Sequence, residues 1–153
     1  MIKDSVVMVL DCGGGTVDIT VHKLCCTIDE QFLCSELLPS SGGCEWGSKY
    51  VDKYFEEFLK DFFGDDLYEE LYEKNAVARL DILRDFEMLK RKFKGGQNER
   101  CMVKLSYLGG ALNSNKLKEL CKQHNENNPQ KFKVKKKGAA NLEISPIIMQ
   151  SFY

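Results

Sequence analysis

The chain has 153 residues, 43% of them apolar and 29% charged. That is about one domain's worth of chain, with enough apolar side chains for a real core, and its three prolines and twelve glycines argue against a disordered or fibrous polymer. The 22 basic and 23 acidic side chains leave a formal charge of −1, so no global field favours nucleic acid or an anionic membrane surface.

The first forty residues read as strands. Ser5 to Leu10 is a β-branched apolar run, the pattern of a strand buried on both faces. Val17 to Leu24 alternates apolar and polar at period two, which predicts a half-buried strand. Asp11-Cys12-Gly13-Gly14-Gly15-Thr16 joins them as a glycine turn. Gln31 to Leu38 is a third strand reached through a turn at Asp29-Glu30, so the three form an antiparallel meander. Pro39 to Cys44 is loop chemistry.

The period then changes. Tyr50, Val51, Tyr54, Phe55, Phe58, Leu59, Phe62 and Phe63 recur at helical spacing, with Lys53, Glu56, Glu57 and Lys60 opposite. One wide apolar helix face results, stopped at Gly64. Asp65 to Lys74 is a short acidic helix or turn. Ala76, Leu80, Leu83, Phe86, Leu89 and Phe93 mark a second long helix ending at Gly95-Gly96. Cys101 to Leu108 returns to strand, and Asn115 to His124 is a short helix followed by a polar loop from Asn125 to Pro129. Lys131 to Lys137 and Asn141 to Ile144 form a hairpin around Gly138. Ser145-Pro146 opens a last helix, because serine caps and proline suits the first turn. Strands, then helices, then strands give an α+β (mixed α/β) class.

Seven cysteines contain no C-x-x-C pair, and His22 and His124 lie near no cluster of them. This spacing predicts no zinc site. The longest apolar run, Val6 to Leu10, is too short for a bilayer, and Met1-Ile2-Lys3-Asp4 does not lead into a secretory signal. The expectation is therefore a cytoplasmic protein with reduced thiols and no membrane partner. Lys131-Phe132-Lys133-Val134-Lys135-Lys136-Lys137 reads as a sheet edge guarded against aggregation, not as a nucleic-acid patch. Trp46 and the aromatic stripe read as core, and Cys12 as a small buried filler.

The most informative stretch is Asp11-Cys12-Gly13-Gly14-Gly15-Thr16-Val17-Asp18. Glycines admit φ values that other residues avoid, and no Cβ blocks an anion. Successive amides of Gly13, Gly14 and Gly15 can converge on phosphate oxygens as a nest, and Thr16 adds a hydroxyl. Asp11 and Asp18 flank the turn, where two carboxylates would hold a hydrated Mg²⁺ and orient water. The turn leads into a strand and lacks the G-x-x-x-x-G-K-[ST] pattern, so it is neither a Walker loop nor a dinucleotide fingerprint. Glu87, Lys90 and Arg91 stand at i, i+3 and i+4 and share one helix face.

Val9 to Val21 resembles the second phosphate loop of the seventy-kilodalton heat-shock proteins. The Cys after the first Asp and the following V-D-x-T-V-H are most similar to their divergent twelve-A and twelve-B branch. Two further motifs follow in order. Gly42-Gly43 through Trp46-Gly47-Ser48-Lys49-Tyr50-Val51-Asp52 resembles the family's glycine pair and helix-opening Asp, and Phe86 to Arg91 resembles its E-x-x-K-R signature. The resemblance implies an actin-like (ribonuclease-H-like) ATPase fold in which this chain supplies a second-lobe hairpin over residues 1–45 and a small cap subdomain over residues 46–153, cut short at its C-terminal end. It implies ATP and Mg²⁺ as cofactors, with protein clients or co-chaperones as partners. Asp11 would order Mg²⁺ through water. Gly13, Gly14, Gly15 and Thr16 would cradle the β- and γ-phosphates, and Asp18 would help polarise the attacking water. Gly47 matches the first of the glycine pair, while Glu87, Lys90 and Arg91 would contact adenosine. Ser48 stands where the family has its second glycine, and Lys94 where it has a small hydroxyl residue. The family's other phosphate loop and catalytic lysine lie outside these residues, so this portion alone is not expected to turn over ATP. Two other readings stand beside it. One is a non-catalytic interaction module using the acidic segment Asp65 to Lys74. The other is a different actin-like ATPase such as a sugar kinase, against which the E-x-x-K-R helix argues.

Overall fold

Three strands in succession need only short turns to pair antiparallel, and they do so. The computed structural model describes residues 5–28, 31–38, 47–128, 133–138 and 140–153. The turn at Asp29-Glu30, the loop from Pro39 to Cys44, and Gly42, Gly43 and Trp46 lie outside these residues. The class is mixed α+β, in two compact units, Met1–Val51 and Asp52–Tyr153. Among the described residues no helix is long and apolar enough to cross a membrane.

In the first unit β1 (Val6–Cys12), β2 (Val17–Ile28) and β3 (Gln31–Leu38) form one antiparallel sheet in that order. Asp11 pairs with Asp18 and Cys12 with Val17 across the β1–β2 ladder. The expected burial of β1 on both faces is wrong for this structure. Met8 is 64% exposed, and Val6, Val9 and Leu10 are exposed beside it. β1 is the sheet's edge, and among the described residues of this unit no second layer covers either side of it. Cys12, expected as a buried filler, is also exposed.

The second unit is built on aromatic packing. Helix α1 (Lys49–Phe63) reaches into it and buries Phe55, Leu59, Phe62 and Phe63. Gly64 ends the helix at φ 78°, a left-handed conformation that favours glycine. The acidic segment forms α2 (Asp65–Tyr68) and a wider π-type turn over Glu69–Glu73, burying Tyr68, Leu71 and Tyr72. Glu56 accepts from the Tyr72 hydroxyl at 3.1 Å and from Arg79 at 2.9 Å, which ties this segment to α1 and α3.

Helix α3 (Ala76–Lys92) is capped by Asn75, whose side chain accepts from the Ala78 amide. Its buried line is Ala78, Ile82 and Phe86, whereas Leu80 is exposed. The expected stripe through Ala76, Leu80 and Leu83 is thus rotated. Phe86 sets the phase, because its ring stacks on Phe55 with centroids 3.8 Å apart, and i, i+4 steps back from it reach Ile82 and Ala78. Phe152 meets both rings edge-on at 6.0 Å.

The second sheet has the order β4-β6-β5, from β4 (Cys101–Lys104), β5 (Val134–Lys137) and β6 (Asn141–Ile144). β4 stops four residues earlier than expected, since Ser106–Ala111 turns into a 3₁₀ segment. The lysine-rich β5 is the sheet edge. Helix α4 (Ser114–Asn127) runs through the start of the expected polar loop. The Asn125 amide explains this: it donates to the Val134 carbonyl at 2.8 Å and accepts from the Val134 amide at 2.9 Å, acting as a strand neighbour for β5. Ser145 caps α5 (Pro146–Gln150) by accepting from the Ile148 amide.

Candidate functional site

The end of the β1–β2 hairpin is held by backbone alone. The Gly13 amide donates to the Thr16 carbonyl at 2.9 Å and closes the turn. The three glycine carbonyls are then taken in a row. Gly13 accepts from the Ser48 amide at 3.2 Å, Gly14 from the Lys49 amide at 2.9 Å, and Gly15 from the Gly47 amide at 3.3 Å. The Lys49 amide, which opens α1 and has no acceptor within the helix, and the two amides before it therefore find acceptors in the glycine loop.

This fixes the other side of the loop. Every described peptide bond is trans, and a trans unit points its C=O and N–H in opposite directions. With the carbonyls of Gly13, Gly14 and Gly15 turned towards α1, the amides of Gly14, Gly15 and Thr16 turn away from it. None of them has a hydrogen-bond acceptor among the described residues.

Why glycine stands at each position has different answers. Gly47 is required by packing: a Cβ there would lie 2.3 Å from the Gly15 carbonyl carbon and 2.4 Å from the Gly14 oxygen. Gly14 and Gly15 are not. Neither has a left-handed φ, contrary to the sequence argument for them. A Cβ on Gly14 would come no nearer than 4.0 Å to the Ser48 hydroxyl, and one on Gly15 no nearer than 3.7 Å to the Lys49 ammonium. Ordinary side chains would fit at both. A Cβ there would instead crowd whatever approaches the loop from outside.

The carboxylates are placed by register. Asp11 and Asp18 are direct cross-strand partners, so their side chains project from the same face. Like charges opposite one another are unfavourable, and a cation between them reverses that sign. Asp18 is oriented by the Thr16 hydroxyl, which donates to its Oδ2 at 3.0 Å. Among the described residues no group of three or more metal-ligating side chains occurs. Two carboxylates suit a magnesium ion that keeps most of its water better than a fully protein-ligated metal.

The second group of expected residues lies in the other unit. Glu87 pairs with Lys90 at 2.6 Å and with Arg91 at 2.6 Å, and Lys90 bonds Asp52 at 2.8 Å. Hydrogen bonds from Lys90 and then Arg91 lower the Glu87 pKa. For Lys90, burial alone would lower the pKa, but the bonds to Asp52 and Glu87 outweigh it and raise it. The Lys90 side chain is mostly enclosed, while the Arg91 side chain is 78% exposed.

Sequence reasoning missed Lys49, whose ammonium flanks Gly15, and the role of Asp52 as the anchor of Lys90. The signal for Lys49 was its place two residues after Gly47. In the acidic segment, Asp65 pairs with Lys60, Glu69 with Lys74 and Glu73 with Arg79. Cys101 and Cys121 are buried free thiols, and burial pushes the Cys101 pKa up to about 11, so neither is a reactive thiolate at neutral pH. No family model matches the chain, and no curated protein matches it.

Proposed function

We propose that this chain is the ATP-binding portion of a heat-shock or chaperone-type ATPase domain of actin-like fold. One observation carries the reading: three outward amides on a loop in which Gly14 and Gly15 are demanded by neither backbone nor packing, beside a facing pair of carboxylates. That arrangement suits a polyanion that brings its own cation. The Gly14, Gly15 and Thr16 amides would hold phosphate oxygens. Asp11 would hold Mg²⁺ through water, and Asp18, fixed by Thr16, would accept a proton from an attacking water. When bound, the metal neutralises charge on the phosphates. Gly47 keeps the loop seated on the start of α1. Glu87, Lys90 and Arg91 would meet the adenosine, with the Arg91 plane stacking on the base. In the complete ATPase domain, protein clients and co-chaperones would be the partners.

The test is a calorimetric titration of Mg-ATP into the chain and into Asp11→Asn. Weak saturable binding by the parent and roughly tenfold weaker binding by the variant is expected, a loss of about 1.4 kcal/mol. Without nucleotide the same variant is expected to raise hairpin stability by about 0.2–1 kcal/mol, because a like-charge pair is removed. Absent binding by folded parent chain would remove the proposal.

A further inference from the structure

The second unit contains a cavity of about 630 Å³ that the nucleotide reading does not use. It lies where α1, the end of α4 and the C-terminal turn converge, and its volume falls in the range of small-molecule sites. Part of its lining is aromatic. Tyr54, Phe58, Phe62 and Phe152 line it, and His124 stands edge-on to Phe58 at 5.8 Å and against Phe62 at 5.8 Å.

Part of it is acidic. Glu57 and Asp61 lie one turn apart on α1 and both line the cavity. Among the described residues no lysine or arginine lines it. Glu57 has only a long contact with Lys53, at 3.9 Å with both side chains exposed, which contributes little. Asp61 has no cationic partner among the described residues. Aromatic faces carry partial negative charge, so rings and carboxylates point to the same ligand sign. Gln123 and Asn127 at the rim add amide groups that both donate and accept.

We propose that this cavity binds a small organic ammonium ion carried on an apolar body. The body would lie against Phe58, Phe62 and Phe152, and the ammonium would sit between the Tyr54 face and the Glu57 and Asp61 carboxylates. An anion of the same shape would meet two like charges and, among the described residues, no lysine or arginine, and a neutral one would gain only the apolar contact.

The experiment uses the full chain and three probes of one shape: 2-phenylethylammonium, 2-phenylethanol and 3-phenylpropanoate. Binding is followed by aromatic chemical-shift changes in NMR titrations. The ammonium is expected to bind at about millimolar strength, as suits a fragment, and about fivefold tighter than the alcohol, with the carboxylate weakest. The double variant Glu57→Gln with Asp61→Asn alters exposed side chains only, so it should fold. It is expected to erase the ammonium's advantage while leaving the alcohol's affinity unchanged. Gln123→Trp, which fills the cavity mouth, is expected to abolish binding of all three. Equal affinity for the three probes, no binding of any, or unchanged binding by the Trp variant would each overturn the site. Nucleotide titration of the same samples reads the hairpin separately, so failure of one site is not confused with failure of the other.

Discussion

The two units solve opposite problems. The helical unit hides its apolar side chains from water: Phe55, Leu59, Tyr72 and Phe86 are all essentially inaccessible. The hairpin unit leaves them out, with Val6, Met8, Val9 and Leu10 all exposed along β1. The difference lies in what each residue is selected against. In the helical unit a side chain answers to its neighbours in the same fold, as Phe86 answers to Phe55. In the hairpin unit no described residue packs over Gly14, Gly15 or the exposed residues of β1 in the same way. Self-contained packing signals a scaffold, and an unexplained surface signals a surface that meets another molecule.

The largest effect should come from testing that contrast directly. Phe86→Ala removes a ring stacked on Phe55 and touched by Phe152. It is expected to cost about 3–5 kcal/mol, as large-to-small changes in packed aromatic cores do. Leu10→Ala on the exposed strand is expected to change stability by less than about 0.5 kcal/mol. Urea unfolding followed by circular dichroism compares the two. A large loss from Leu10→Ala would show that β1 is covered and would end the contrast.

How far the sequence could be read follows the same division. Helices α1 and α3 were legible because a 3.6-residue period needs only a local count, and the N-caps at Ser145 and the stop at Gly64 obey local chemistry. The phase of α3 was not, because Leu80 and Ile82 are equally apolar and only contact with Phe55 chooses between them. The length of α4 was hidden for a similar reason. Asn125 reads as a loop residue until its amide is seen bonded to Val134. Burial of β1 was misread because a run of Val, Met and Leu reports affinity for an apolar cover, not the presence of one. The glycine turn was legible as a turn, but not for the reason given: Gly14 and Gly15 have open space beside them and do not use the left-handed φ that the sequence argument invoked.

Gly47 sharpens the comparison inside the hairpin unit. Its Cα rests against the Gly14–Gly15 backbone, and Gly47→Ala would place a Cβ 2.3–2.5 Å from three backbone atoms. Backbone cannot give way as a flexible side chain can, so overpacking should cost about 1–3 kcal/mol. The loss is expected as faster hydrogen exchange in the Gly13–Thr16 loop and the first amides of α1, with protection of α3 unchanged. Gly14→Ala, where the space is open, should leave exchange in the loop unaltered and weaken Mg-ATP binding. Equal exchange behaviour in the two variants would mean that the glycines do not divide into one required by packing and one required by ligand approach.

The smallest effect concerns charge in the helical unit. Glu87 has its pKa lowered by Lys90 and Arg91. A carboxylate with a depressed folded pKa contributes stability that is present above its unfolded value near 4.5 and is lost as pH falls through the folded value. Lys90 runs the other way. Its raised folded pKa contributes below its ordinary 10.5 and is lost only as pH rises through the higher folded value, so it does not enter the acid limb. Glu87→Gln should therefore flatten the fall in urea midpoint between pH 6 and pH 3 and leave the alkaline limb shallower as well, since Lys90 keeps only Asp52. Because the Glu87 side chain is 39% exposed, solvent screening limits the acid-limb difference to about 0.5 kcal/mol. Superimposable acid limbs for the two proteins would mean that the E-x-x-K-R carboxylate is not held by its neighbours in solution and is free to meet a ligand by itself.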